Sequence, residues 1–195
     1  MATRIQVIGM AASDSHNSIR SRSSARDCLS SPELAAHLDE EVYRADRQRT
    51  QLSCLLVSLD EVEHLAQTYG EELPAQALVY LGTALIRQLR RFDRVGHAGR
   101  GELLVVLPGA DERRAEIVAR RALGRLHSVK IEVQGRREPL RISVGIAAWQ
   151  EGLGAEQLLS HTRVAAQRRD PADSQASDSF AGLGAGAGEM PLRRS

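Results

Sequence analysis

The stretch RRFDRVGHAGRGELLVVLPG, residues 90–109, constrains the fold more than any other part of the chain. Its centre, Gly99-Arg100-Gly101, predicts a tight turn, because glycine adopts the positive φ angles that short connections need. Five apolar residues follow at positions 103–107, and Pro108-Gly109 closes the run. An unbroken apolar run of this length is typical of a strand that is buried on both faces. The stretch therefore predicts a β-hairpin inside a sheet.

Composition indicates one globular domain with flanking segments. The 195 residues are 42% hydrophobic and 26% charged, which is enough to build the core of a single domain. A net charge of +1 argues against a surface that binds nucleic acid by bulk electrostatics, so we predict no nucleic-acid partner. Cys28 and Cys54 form no disulfide framework or metal motif, and no apolar run is long enough for a membrane span. We predict a cytoplasmic protein.

Apolar periodicity predicts alternating helices and strands between two unstructured ends. Residues 1–27 are predicted to be a flexible lead, and the Gly-, Ala- and Ser-rich residues 171–195 a disordered tail. Between them, residues 28–170 predict a helix from Ser31, a strand at 52–59, helices at 61–69 and 74–91, the hairpin, a helix at 111–127, a strand pair at 130–134 and 140–149, and a helix at 155–169. This order predicts an α/β (α+β) sandwich with a mostly antiparallel sheet flanked by helices.

Three segments resemble the GGDEF domains of the diguanylate cyclase family. GRGEL at residues 99–103 is similar to the signature hairpin, and Gly99 and Glu102 match it outright. LLVSLDEVEHLAQTYG at 55–70 is similar to the family's strand and DxDxFKxxNDxxG stretch, and ISVGIAAW at 142–149 to a late strand. The resemblance covers about residues 33–170 and implies the nucleotidyl-cyclase palm fold and a role in bacterial signal transduction.

The departures from the family pattern imply that cyclase activity is lost. A cyclase that joins two GTP molecules holds divalent metal with carboxylates, one from the first Asp of DxD and one from the third signature position. Ser58 and Gly101 occupy these places. Ala66 and Ala75 replace the Asn that reads guanine and the Asp of the GHxxGD segment. We therefore predict no enzyme activity, no catalytic residues, no metal site and no cofactor.

One regulatory motif of the family is retained. Product-inhibited members bind cyclic di-GMP at an RxxD motif shortly before the signature, and Arg90 and Asp93 match it at the expected separation. Arg121 matches a further arginine that the family often places near this motif. Arginine binds a phosphate or the O6/N7 edge of guanine, and aspartate accepts from guanine N1 and N2. The resemblance thus implies a cyclic di-GMP receptor with Arg90, Asp93 and Arg121 as its ligand-binding residues.

Two alternatives stay open. Arginines also favour a helix C-terminus, and an aspartate can cap the chain as it enters a strand, so these residues can have a purely structural role. The chain would then be a ligand-independent module for protein interaction or dimerisation. The other alternative is residual activity on another nucleotide, which turnover of GTP or ATP that is lost in Glu102→Gln would indicate.

Overall fold

The computed structural model describes residues 5–8, 28–126, 130–133 and 136–168. These residues form seven strands, which are β1 Ile5–Ile8, β2 Leu52–Leu59, β3 Arg94–Gly99, β4 Glu102–Pro108, β5 Lys130–Val133, β6 Arg136–Pro139 and β7 Ile142–Ala148. They also form five helices, which are α1 Ser31–Gln48, α2 Val62–Tyr69, α3 Glu72–Ile86, α4 Glu112–Leu126 and α5 Ala155–Arg168. The predicted α/β architecture is confirmed. None of these helices is long and apolar enough to cross a membrane.

The central sheet has four strands in the order β3-β4-β2-β7, and every neighbouring pair is antiparallel. β2 and β4 are its inner strands, and the predicted hairpin joins β3 to β4. A second sheet has three strands in the order β1-β5-β6, also antiparallel. The hairpin therefore supplies both an edge strand and an inner strand of the main sheet.

Helices cover both faces of the central sheet. Leu55 and Val57 of β2 belong to a core that the sheet shares with α2, α3 and α4. Cys54 and Leu56, which alternate with them along the strand, belong to a second core shared with α1 and α5. Because successive side chains enter two different cores, β2 is apolar at six of its eight positions rather than alternating. Burial raises the pKa of the Cys54 thiol to about 12, so this thiol stays protonated and packs as a small apolar group.

The sequence prediction differs from the structure in two places, an unpredicted strand near the N-terminus and the pairing of two predicted strands. Ile5–Ile8, inside the segment predicted to be flexible, form β1 and pair with Lys130–Val133. The other residues of 1–27, and all of the tail 171–195, lie outside the described residues. β5 pairs with β6, whereas β7 pairs with β2, so the predicted pairing between β5 and β7 is wrong.

Helix α3 ends earlier than the predicted limit of residue 91. Its last residue is Ile86, after which the Gln88 N–H donates to the Leu85 carbonyl at 2.8 Å. A hydrogen bond between residues three apart is typical of a tight turn, and further turns lead from here to β3. The segment that carries Arg90 is therefore a turn rather than the end of a helix.

His37 on α1 gives the fold a predicted pH dependence. Its Nε2 atom is buried and has no hydrogen-bond partner among the described residues. Burial is the main cause that lowers the pKa of His37. Glu40 and Glu41 of α1 oppose this effect. Arg44 of α1 and Arg94 of β3 add to it.

We expect the free energy of unfolding to fall as the pH drops below about 6.5, the ordinary pKa of histidine. In that range the unfolded chain binds a proton at His37 while the folded chain does not, so acid favours unfolding. Urea denaturation at several pH values measures this dependence. His37→Leu should flatten it, whereas His161→Gln, at an exposed histidine of α5, should leave it unchanged. Equal pH dependence in His37→Leu and the parent chain would contradict the assignment.

Candidate functional site

The turn at residues 90–93 lies between α3 and β3 and carries the RxxD motif. The Asp93 N–H donates to the Arg90 carbonyl at 3.2 Å, and the Arg90 N–H donates to Asp93 Oδ2 at 2.7 Å. These reciprocal hydrogen bonds hold the first and last residues of the motif next to each other. The Arg90 side chain is exposed, and within the described ranges its guanidinium makes no hydrogen bond. Two of the three predicted ligand residues are therefore adjacent.

The side chain of Arg94, the first residue of β3, stabilises the turn. Arg94 Nη1 donates to the Arg91 carbonyl at 2.7 Å and to the Asp93 carbonyl at 3.0 Å. Asp93 itself is half-buried, and this burial raises the pKa of its carboxyl, against the opposing effects of the Arg90 N–H and of the Arg90 and Arg94 guanidiniums. A partly desolvated carboxylate interacts more strongly with a donor than a fully hydrated one does.

Arg121, the third predicted ligand residue, lies on the exposed surface of α4. Helix α4 packs against α3, the helix that precedes the turn. In the part of the chain that the structure describes, no hydrogen bond or ion pair joins Arg121 to Arg90 or Asp93. The structure thus places Arg121 on the helix that packs against α3, and no polar contact with the motif is formed among the described residues.

The signature hairpin turns through Arg100 and Gly101. Gly101 has φ +77°, in the region that favours glycine, as the predicted tight turn requires. Its carbonyl accepts the Leu59 N–H at 2.8 Å, which ties the turn to the end of β2. A Cβ at this position would lie 3.2 Å from the side chain of Val62. A residue with a carboxylate would therefore be strained in its backbone and crowded by α2.

Ser58 and Gly101 occupy the two positions at which the family resemblance implies metal-binding carboxylates, and neither has an anionic oxygen. Ser58 on β2 pairs directly with Glu102 on β4, and Gly101 precedes Glu102. A hydroxyl and a glycine do not supply the carboxylates with which proteins hold Mg²⁺. Over the described ranges, no group of three or more His, Cys, Asp and Glu side chains is arranged for a metal ion. These residues do not fit a divalent metal.

Arg163 on α5 binds the one signature carboxylate that is retained. Its Nε donates to Glu102 Oε2 at 2.9 Å and to Oε1 at 3.3 Å, and its Nη2 donates to Oε2 at 2.7 Å. The same Nη2 donates to the Ala98 carbonyl at 2.8 Å. Arg163 therefore neutralises Glu102 and fixes the hairpin to α5. The role of Arg163 was not predicted, because arginine is so frequent in this sequence that no single position stands out.

The remaining substrate positions are also altered. Arg100 reaches towards the start of α3, where its Nη2 donates to both carboxylate oxygens of Glu71 at 2.9 Å. Both side chains are exposed, so this pair contributes little to stability. Ala66 is buried on α2, and Ala75 is exposed on α3. A methyl group at either position cannot hydrogen-bond to a nucleotide.

Comparison with known proteins gives a family match over most of the chain. The family model described as "Diguanylate cyclase, GGDEF domain" matches residues 32–174. Diguanylate cyclase DosC of Escherichia coli K12 is 27% identical over 120 residues, which are 61% of this chain and 26% of DosC. The chain therefore spans about a quarter of the length of this relative.

Two solved structures share the fold. Diguanylate cyclase SiaD from Pseudomonas aeruginosa, solved in complex with its activator SiaC, superposes with a TM-score of 0.67 at 22% identity, over 80% of this chain and 58% of that one. The GGDEF domain of DgcB from Caulobacter crescentus, solved in complex with c-di-GMP, gives a TM-score of 0.64 at 14% identity, over 87% and 95%. At these identities the likeness concerns the fold.

Proposed function

This chain belongs to the GGDEF domain family, and we propose that it is a catalytically inactive member that acts as a cyclic di-GMP receptor. The observation that carries the proposal is a contrast between the two turns at opposite ends of β3. The turn at residues 90–93 presents an exposed arginine beside a carboxylate, which suits a guanine nucleotide. The turn of the signature hairpin lacks the carboxylates that cyclase chemistry needs.

The proposed loss of catalysis is supported by the small number of free carboxylates at the signature hairpin. Joining two GTP molecules requires metal to offset the negative triphosphates, and metal requires carboxylate ligands. Ser58 and Gly101 remove two of these carboxylates, and Arg163 neutralises Glu102. Gly101 has a positive φ, and a Cβ at this position would lie 3.2 Å from the Val62 side chain, so the position is adapted to glycine. We therefore expect no cyclic di-GMP when the purified chain is incubated with GTP and Mg²⁺.

The proposed receptor role is supported by the geometry of the RxxD turn. Asp93 uses Oδ2 to hold the Arg90 N–H, and Oδ1 has no hydrogen-bond partner among the residues that the structure describes. Oδ1 can therefore accept from the N1 or N2 group of a guanine, while the Arg90 guanidinium binds a phosphate or the O6/N7 edge. Arg121 would add a second cation from α4. Such a receptor would act in the bacterial cytoplasm and pass the signal to a protein partner or a second copy.

Isothermal titration calorimetry with cyclic di-GMP tests the receptor. We expect the full chain to bind with a dissociation constant on the order of micromolar, about −8 kcal/mol. Arg90→Ala should abolish binding, because it removes the cation that faces the anionic ligand. Arg47→Ala, at an exposed arginine of α1, is the matched control and should bind normally. No heat with the parent chain, or conversion of GTP to cyclic di-GMP, would refute the proposal.

The alternative is a ligand-independent module that holds a protein partner or dimerises. The solved complex of the related SiaD with its activator SiaC favours this alternative, since it joins a chain of this fold to a protein. Affinity capture with and without added cyclic di-GMP separates the two functions. One strong partner whose capture does not respond to the nucleotide, together with no heat in calorimetry, would support the module.

A further inference from the structure

The turn at residues 90–93 exposes an aromatic side chain. Phe92 is 75% exposed, which is more than any other large apolar side chain in the described residues. It lies one position before Asp93 and next to Arg91, which is also exposed. An aromatic ring so open to water has an unfavourable contact with solvent in the free protein. Its position beside the RxxD residues points to a ligand that covers it.

The backbone around Phe92 is held firmly. The turn is closed by the two hydrogen bonds between Arg90 and Asp93. Arg94 binds the carbonyls of Arg91 and Asp93, the residues on either side of Phe92. A backbone that is bonded before and after Phe92 fixes the position from which the ring extends. A ring carried by a fixed turn loses less conformational entropy when it binds a flat ligand than a ring on a mobile loop would.

The charges around the ring favour a nucleotide over an apolar protein segment. Arg87, Arg90 and Arg91 are all exposed and lie within six residues of one another along the chain. An anionic ligand would offset this concentration of positive charge, whereas an apolar peptide would not. In a guanine nucleotide, the base supplies a π face for the ring and N–H donors for Asp93, and the phosphate supplies negative charge for the arginines.

We propose that Phe92 is a stacking platform for a guanine base of the nucleotide that binds at the Arg90–Asp93 turn. This inference rests on the proposed receptor function and adds a residue to its site. The ring packs against one face of the base, and Arg90 and Asp93 bind its polar atoms. Stacking requires a planar side chain, so an aliphatic residue of similar size does not replace it.

Calorimetry with cyclic di-GMP on Phe92→Tyr, Phe92→Leu and the parent chain tests the platform. Phe92→Tyr should bind within about threefold of the parent, and Phe92→Leu should bind about tenfold more weakly, since loss of a stacked base costs roughly that much or more. Tyr43→Leu, at another exposed aromatic residue (67% exposed, on α1), should not change affinity. Circular dichroism confirms that each variant is folded.

A spectroscopic readout separates stacking from a general apolar contact. In Phe92→Trp, cyclic di-GMP should quench the fluorescence of the new indole. The change in Trp149 fluorescence, measured in the parent chain, is subtracted. The stacking role of Phe92 would be refuted if Phe92→Leu bound with parent-like affinity, or if the indole stayed unquenched in a chain that binds. Neither result would contradict the proposed receptor function. No binding by the parent chain would overturn the receptor and the platform together.

Discussion

Gly145→Ala is expected to destabilise the protein by about 3 kcal/mol or more. Gly145 lies in β7, where α5 crosses the sheet. A Cβ at this position would collide with the Thr162 carbonyl oxygen and the backbone N of Ala166, and would lie 2.8 Å from Ala166 Cα. These are backbone atoms of a helix, so no side-chain rotation relieves the clash. Either β7 or α5 must move, and the core between them loses contact.

Urea denaturation, followed by circular dichroism and by Trp149 fluorescence, measures this loss. Trp149 is a suitable reporter because it follows β7 and its indole N–H donates to the Leu153 carbonyl at 2.8 Å. Gly124→Ala is the matched control. Gly124 is exposed within α4. Apart from the adjoining residues and backbone of the helix itself, no atom of the described residues lies within 4 Å of the point that an alanine methyl would occupy, so alanine should stabilise the chain by about 0.5–1 kcal/mol. A loss of less than about 1 kcal/mol in Gly145→Ala would contradict the close approach of α5.

The elements that the sequence predicted correctly are those with a strong local pattern. β2 and β4 are mostly apolar, and glycine or proline marks the hairpin turn and its end. β1 was missed because four residues, IQVI, are too short a pattern inside a polar segment, and they gain their partner only from β5. The partner of β7 was wrong for a related reason. Pairing with β2, about ninety residues away, leaves no trace in the local pattern.

The candidate site shows the same division between local and distant information. Arg90 and Asp93 are three residues apart in the sequence, and one hydrogen-bonded turn joins them in the structure. Whether Arg121 reaches that turn depends on how α3 packs against α4, which the spacing of residues does not determine. The Glu102–Arg163 pair joins residues 61 positions apart. Such a pair is invisible in a single sequence in which arginine is common.

Arg163→Met is expected to destabilise the protein by about 2 kcal/mol. Glu102, whose side chain is 20% exposed, would keep its charge without a cation, and the Ala98 carbonyl would lose its donor. Breaking a fully buried pair costs more, about 3–5 kcal/mol, but the Arg163 side chain is 38% exposed and water offsets part of the loss. Methionine retains much of the apolar stem, so the change reports mainly on the charge and its hydrogen bonds.

A double-mutant cycle with Glu102→Gln tests whether the two side chains act as a pair. In the parent chain, Glu102→Gln should cost about 1–2 kcal/mol, because Arg163 loses its carboxylate. In the Arg163→Met background the same change should be neutral or stabilising, because it removes an unpaired charge. Equal costs in both backgrounds would mean that Glu102 is not held by Arg163. That carboxylate would then be free, and the proposed loss of catalysis would rest on Ser58 and Gly101 alone.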